Sequence, residues 1–260
     1  MSGVTAQFRA EYARYRAAEG RGYSGDALRA LPYLRSGAFA RQWAVRARTF
    51  DAFVRHVLNR SGRHTDILDL GAGNGWLCHR VARKGHRCIA LDMRDDRVDG
   101  LGAAKEFLVE EPGLFRCVTG SFEDLPFASA SFDITLFNAS LHYAQDLRRA
   151  LLEAGRVTRH GGTLAILDSP FYGSAVDGDA MVAEKKSRGG TSFGAQASVL
   201  LSPDFIEYLT PERLSAAVPE LRWSRTRVRY PLWYELRPLR AWWKGERTPS
   251  RFDLWIAAKP

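Results

Sequence analysis

Residues 66–75 read DILDLGAGNG, and few folds can accommodate that string. Ile67, Leu68 and Leu70 form the apolar run expected of a parallel strand covered on both faces. Gly71, Gly73 and Gly75 let the backbone turn sharply and come close to a ligand. The amphipathic segment that follows starts a helix whose first N–H groups have no intrahelical partner. Strand, glycine turn and helix together predict a nucleotide-type pocket at the carboxyl end of a strand. A dinucleotide turn needs G-x-G-x-x-G. Here the glycines alternate, and Trp76 stands where the third glycine would be.

The rest of the chain supports a doubly covered sheet. Apolar spacing predicts helices over 5–20 and 39–60, the second with Phe39, Trp43, Phe50, Val54 and Val57 on one face. Strands at 66–70, 87–92, 115–119, 132–138 and 163–168 then alternate with helices at 75–84, 96–109 and 146–158. Asp146 is placed to cap the last of these helices. Residues 169–200 are rich in Gly, Ser and Ala and read as a flexible cap rather than a strand. Thr210-Pro211-Glu212 opens a short helix. Residues 222–234 and 251–258 read as two closing strands, joined by an aromatic segment that contains Trp242 and Trp243.

Three further segments carry a family likeness. Asp92 ends the second strand 21 residues after Gly71. A carboxylate there can accept hydrogen bonds from both hydroxyls of a ribose. GSFEDLPF at 120–127 precedes Ser131-Phe132-Asp133, and LLEAGRVTRHGGTL at 151–164 closes a helix and turn. With the glycine turn, these resemble the class I S-adenosylmethionine (SAM) methyltransferases over residues 66–168. The resemblance implies a Rossmann-like three-layer sandwich with a mostly parallel seven-stranded sheet and an antiparallel last strand. It implies SAM as cofactor, held by Asp69, Gly71, Ala72, Gly73, Gly75, Asp92, Met93, Ser121, Phe122 and Asn138. Ser121 stands where the family usually carries an Asp for the adenine amino group, and Phe122 can wall the base. Arg159-His160 replace the usual Lys-Pro. Asn138, leaving the fourth strand, is expected near the methionine moiety.

Methyl transfer from a sulfonium is an in-line displacement and needs an aligned nucleophile. A base is required only if the acceptor loses a proton, and His142, just beyond the fourth strand, is the candidate. Tyr143 is a second pocket candidate. Tyr12, Tyr15 and Tyr23 are placed to close over the cofactor or to join the core. The organisation expected is an arm over 1–60, a cofactor core over 61–168, a cap over 169–215 and closing strands over 216–260.

Charge bears on the acceptor. The net charge is +9, with 32 of the 38 basic residues Arg. Residues 1–60 carry +7, residues 220–260 carry +6, and the stretch between carries −4. Basic ends suit an anionic or aromatic small-molecule acceptor, and leave RNA open because Trp223, Trp233, Trp242 and Trp243 could stack bases. A non-catalytic SAM- or nucleoside-binding protein is the third reading. Cys78, Cys88 and Cys117 lack C-x-x-C spacing, which predicts reduced thiols without a metal site. No apolar run approaches membrane-spanning length, and a cytoplasmic location is expected. Nothing in the sequence sets the oligomeric state.

Overall fold

The structure, a computed structural model, describes residues 11–14, 16–62, 64–192 and 205–260. Seven strands form one sheet: β1 (Asp66–Leu70), β2 (Arg87–Asp92), β3 (Arg116–Thr119), β4 (Phe132–Asn138), β5 (Thr158–Leu167), β6 (Trp223–Thr226) and β7 (Leu254–Ala258). Their order is β3-β2-β1-β4-β5-β7-β6. β7 runs antiparallel to both β5 and β6, so the other six strands share one direction. This is the expected Rossmann-like sheet. The strand order reverses between β1 and β4, which opens a crevice at their carboxyl ends.

Alternation along each strand creates the three layers. Ile67, Ile134, Leu136, Ala165 and Leu254 face one apolar cluster. Leu68, Phe137, Leu164, Ile166 and Trp255 face the other. Helices α2 (Ala40–His56), α3 (Trp76–Ala82) and α4 (Leu101–Glu110) cover the first face, following the short α1 (Gly25–Ala30). α5 (Leu147–Val157) and α7 (Pro211–Ala217) cover the second. α5 buries Ala150, Leu151, Ala154 and Val157. Each of its two larger side chains contributes about 1.5–3 kcal/mol by leaving water. The Asp146 carboxylate accepts the Arg149 N–H at 3.0 Å, and the Thr210 hydroxyl accepts that of Arg213 at 3.1 Å. Both are the expected caps. Trp76 packs edge-on against Trp43 and Phe50, at centroid distances of 5.9 and 5.4 Å, and so ties α3 to α2.

Several elements differ from expectation. Part of the cap is helix α6 (Ala175–Ser192), which tolerates its glycines; residues 193–204 of the cap lie outside the described residues. The predicted strand 222–234 is β6 only to Thr226. Pro231 then caps α8 (Leu232–Glu235), and α9 (Arg237–Trp243) follows with Pro at its start. Pro cannot donate to a sheet ladder, and its fixed φ suits a helix N-terminus. The first helix is described at 11–14 and 16–18; residues 5–10 and Tyr15 lie outside the described residues. Cys78 and Cys88 are buried and Cys117 is partly so, and all three are free thiols.

Candidate active site

A cavity of about 360 Å³ opens at the carboxyl ends of β1, β2, β4 and β5. This is within the size range of small-molecule sites. Of the sequence-predicted residues, Gly71, Ala72, Gly73, Asp92, Met93, Phe122, Asn138 and His142 line it. Asp69, Gly75 and Ser121 do not.

The glycine turn forms one wall. Gly71 and Gly73 have φ of +73° and +55°. A Cβ on Gly71 would lie 2.5 Å from the Ser140 Cβ, so this backbone is held close to the β4 exit. Gly75 has another task. It is left-handed at the start of α3, and a Cβ there would lie 2.8 Å from the Ala104 Cβ of α4. The third glycine of the string therefore permits helix packing.

Asp92 is buried at the end of β2. Its carboxylate accepts N–H groups from Gly73 at 2.8 Å and Arg94 at 2.9 Å, one on each oxygen. Each oxygen keeps a further lone pair for a hydroxyl. Asp69 lies beneath, with no exposed surface. Burial first, then the Asp92 carboxylate, pushes its pKa up to about 8. Burial also raises Asp92, but two N–H donors and the Arg94 charge oppose the rise. Of the pair, Asp69, whose one donor among the described residues is the Cys78 thiol at 3.9 Å, is the better holder of a proton, and Asp92, with two N–H donors and Arg94 beside it, is the better anion.

Ser121 stands outside the cavity lining. Its hydroxyl accepts the Glu123 N–H at 3.1 Å and so closes its own turn. Phe122 reaches the cavity instead and packs edge-on against Phe137 at 5.6 Å.

The other end of the cavity holds polar atoms without partners among the described residues: Asn138 Oδ1, His142 Nδ1 and both carboxylate oxygens of Asp168. The Thr49 hydroxyl near Asp168 is engaged with the Val45 carbonyl and the Tyr230 hydroxyl. Ala139 and Asp168, leaving β4 and β5, both have positive φ, +57° and +51°. Strained non-glycine backbone gathers where function requires a fixed geometry. Burial, followed by the charges of Lys185 and Arg46, holds the His142 pKa down to about 3. The ring is neutral at physiological pH. Its bare Nδ1 can accept a hydrogen bond, but its basicity is weak in this setting.

The first helix reaches the cavity through Tyr12 and Arg16. The Tyr12 and Tyr143 hydroxyls lie 3.1 Å apart. Arg16 meets Asp99 at 2.7 Å, and Arg94 lies 4.7 Å over the Tyr12 ring. Tyr23, by contrast, accepts the Trp43 indole N–H at 2.7 Å and belongs to the core.

Arg16, Arg46, Arg94, Asp99, Asp168 and Phe252 also line the cavity and were not anticipated. Asp168 had a signal: Ala165-Ile166-Leu167-Asp168 repeats the apolar-run-then-acid pattern of Ile89-Ala90-Leu91-Asp92. The arginines had none, because they reach the site from different elements.

Among the described residues no group of His, Cys, Asp or Glu is arranged to hold a metal ion, and no helix is long and apolar enough to cross a membrane. Much of the basic charge at the two ends is engaged internally. Arg16 pairs with Asp99, Arg225 and Arg251 with Asp253, and Arg247 with Glu184.

Comparison with known proteins agrees with this geometry. Residues 68–166 match the family described as "Methyltransferase domain". A malonyl-[acyl-carrier protein] O-methyltransferase from Erwinia pyrifoliae is 37% identical over 103 residues, 40% of this chain and 37% of that protein. A demethylmenaquinone methyltransferase from Thermobifida fusca is 35% identical over 102 residues, 39% of this chain and 42% of that protein. The chain thus spans about two fifths of the length of these curated relatives. A geranyl diphosphate C-methyltransferase from Streptomyces coelicolor, solved with S-adenosyl-L-homocysteine, shares the fold at a TM-score of 0.59 and 14% identity, covering 97% of this chain and 98% of that one. By sequence, residues 68–166 form a domain of the class I SAM-dependent methyltransferases, and the fold likeness extends over nearly the whole chain.

Proposed function

We propose that the chain is an active SAM-dependent methyltransferase that moves a methyl group to an oxygen, nitrogen or carbon of a small-molecule acceptor. The observation that carries this is the cavity's polarity. One end offers bare glycine backbone and a buried carboxylate with two lone pairs to spare. The other offers three residues whose buried polar atoms have no partner within the described residues. Unpaired buried polar atoms are costly, and a bound ligand is what would satisfy them.

These residues fit the cofactor. Asp92 would accept the ribose hydroxyls, Gly71, Ala72 and Gly73 would bring backbone close to the amino-acid portion, Met93 and Phe122 would enclose the base, and Asn138 would meet the methionine end. Asp69 would stay neutral beneath Asp92 and so spare it a second buried charge, and Gly75 and Ser121 would shape the turns. When bound, the cofactor supplies an electrophilic methyl on a positive sulfur. The chain's part is to orient and to exclude water. Tyr12 and Tyr143 shut the mouth, and His142 Nδ1 accepts the hydrogen bond, or the proton, of an acceptor held in line. The arm, cap and closing strands would then select the acceptor around a common core.

Calorimetric titration with SAM tests the reading. Binding in the micromolar range is expected, with a loss of about tenfold or more in Asp92→Asn. No binding at millimolar cofactor, or an unchanged affinity in the variant, refutes it.

A further inference from the structure

A second cavity, of about 390 Å³, adjoins the first and shares Arg46, Asp168 and Phe252 with it. Arg41 and Arg46 reach it from α2, and Arg237 reaches it from the start of α9. Val45, Trp233 and Tyr234 complete an apolar wall.

The basic charge that lines this cavity is not neutralised locally. Arg16, Arg94, Arg156, Arg159, Arg225 and Arg251 pair with carboxylates elsewhere. Among the described residues Arg41, Arg46 and Arg237 pair with no carboxylate, and no hydrogen bond occupies their guanidinium N–H groups. Each rests on a ring instead: Arg41 5.8 Å from the Trp233 centroid, Arg46 4.9 Å from Trp43 and Arg237 4.6 Å from Tyr234. Stacking holds a guanidinium in place and leaves its in-plane donors free. Those donors match carboxylate and phosphate oxygens two at a time. The cavity's one carboxylate, Asp168, is at the junction with the first chamber; the Arg46 charge acts on it, but it forms no ion pair with any of the three.

We propose that this second cavity binds an amphipathic anion, a carboxylate or phosphate on an apolar body, as the methyl acceptor. The anionic group lies among Arg41, Arg46 and Arg237, and the body lies along Val45, Tyr234 and Phe252. The opposite end passes Asp168 toward His142 and Asn138. The acceptor role rests on the methyltransferase reading above; the anion site stands on its own geometry.

The test uses the full chain and three probes of one shape: 2-naphthoate, 2-naphthyl phosphate and the neutral 2-naphthylmethanol. Calorimetry is expected to show at least one anion binding about tenfold or more tightly than the neutral probe. The better anion identifies carboxylate or phosphate as the preferred group. Arg41→Gln/Arg237→Gln is expected to lower anion affinity by about tenfold or more, to leave the neutral probe within twofold or so, and to leave SAM affinity unchanged. Unchanged SAM affinity also shows that the variant is folded. Equal binding of anions and neutral probe, no anion binding at millimolar concentration, or wild-type anion affinity in the variant overturns the proposal. Anion binding with no SAM binding removes the acceptor role and the methyltransferase reading, and leaves the anion site.

Discussion

Asp69 is buried beneath the cavity and His142 is half-buried in its wall, and removal from water drives them toward neutrality from opposite sides. Asp69 is an acid whose folded pKa of about 8 exceeds its unfolded value near 3.9. Its contribution to stability is complete below the unfolded value and is lost as pH rises through about 8. Asp69→Asn keeps the shape without the charge. It is expected to flatten the loss of stability between pH 6.5 and 8 and to raise the melting temperature at pH 8 by about 2–4 °C. Calorimetric melts across that range check this, and a variant that falls as steeply as the parent contradicts it. His142 carries a pKa held near 3, so turnover is expected to show no inflection near pH 6.5 from this ring. His142→Gln is expected to lower kcat by about 10²-fold or more if the acceptor surrenders a proton, with SAM affinity within twofold or so. A wild-type kcat in the variant, measured with an acceptor that must lose a proton, would remove His142 from that role. At this scale the sequence was legible where chemistry and backbone coincide. Asp92, Gly71 and Gly73 lie where their spacing put them. Ser121 does not, because a hydroxyl next to a free N–H closes a local turn before it reaches across a cavity.

The glycine turn shows how one element serves two ends. Gly71 and Gly75 have the same left-handed backbone, yet a Cβ would collide with different neighbours. Gly75→Ala meets α4 and is expected to destabilise the fold by about 1–3 kcal/mol, while the folded fraction keeps SAM affinity within twofold or so. Gly71→Ala meets Ser140 at the cavity wall and is expected to lose SAM affinity by about tenfold or more in addition to stability. Urea melts paired with cofactor titration separate the two, and equal affinity losses would contradict the assignment. Strands β1 to β5 were readable because apolar runs bounded by turns have few alternatives. The 222–243 region was not. Its aromatic and β-branched content suggests strand, but Pro231 and Pro238 start helices, and the aromatic side chains of Trp242 and Trp243 remain exposed. α6 was obscured by its glycines, which lower helix propensity without forbidding a helix that has surface to lean on.

Across the whole molecule, the site is assembled from segments far apart in sequence: the arm, α2, the ends of β1, β2, β4 and β5, and the loop before β7. A reading along the chain finds the strand ends, since each carries its own motif. It does not find Arg46, Arg94 or Phe252, whose membership depends on three-dimensional packing. Among the contacts by which the arm meets the cavity, two are polar: the Tyr12–Tyr143 pair and the Arg16–Asp99 pair. Tyr12→Phe and Asp99→Asn are each expected to speed dissociation of S-adenosylhomocysteine severalfold in stopped-flow measurements, without a change in melting temperature beyond about 2 °C. An unchanged dissociation rate in both would mean that the arm does not gate the cavity. Seen over a full cycle, a spent cofactor that leaves past this helix would have to part both contacts, and a fresh one would be enclosed only once both had re-formed. Were that the slow step, the steady-state rate at saturating substrate would be set by how often a short helix swings clear, and a protein of this design would be made faster by loosening its door rather than by improving its chemistry.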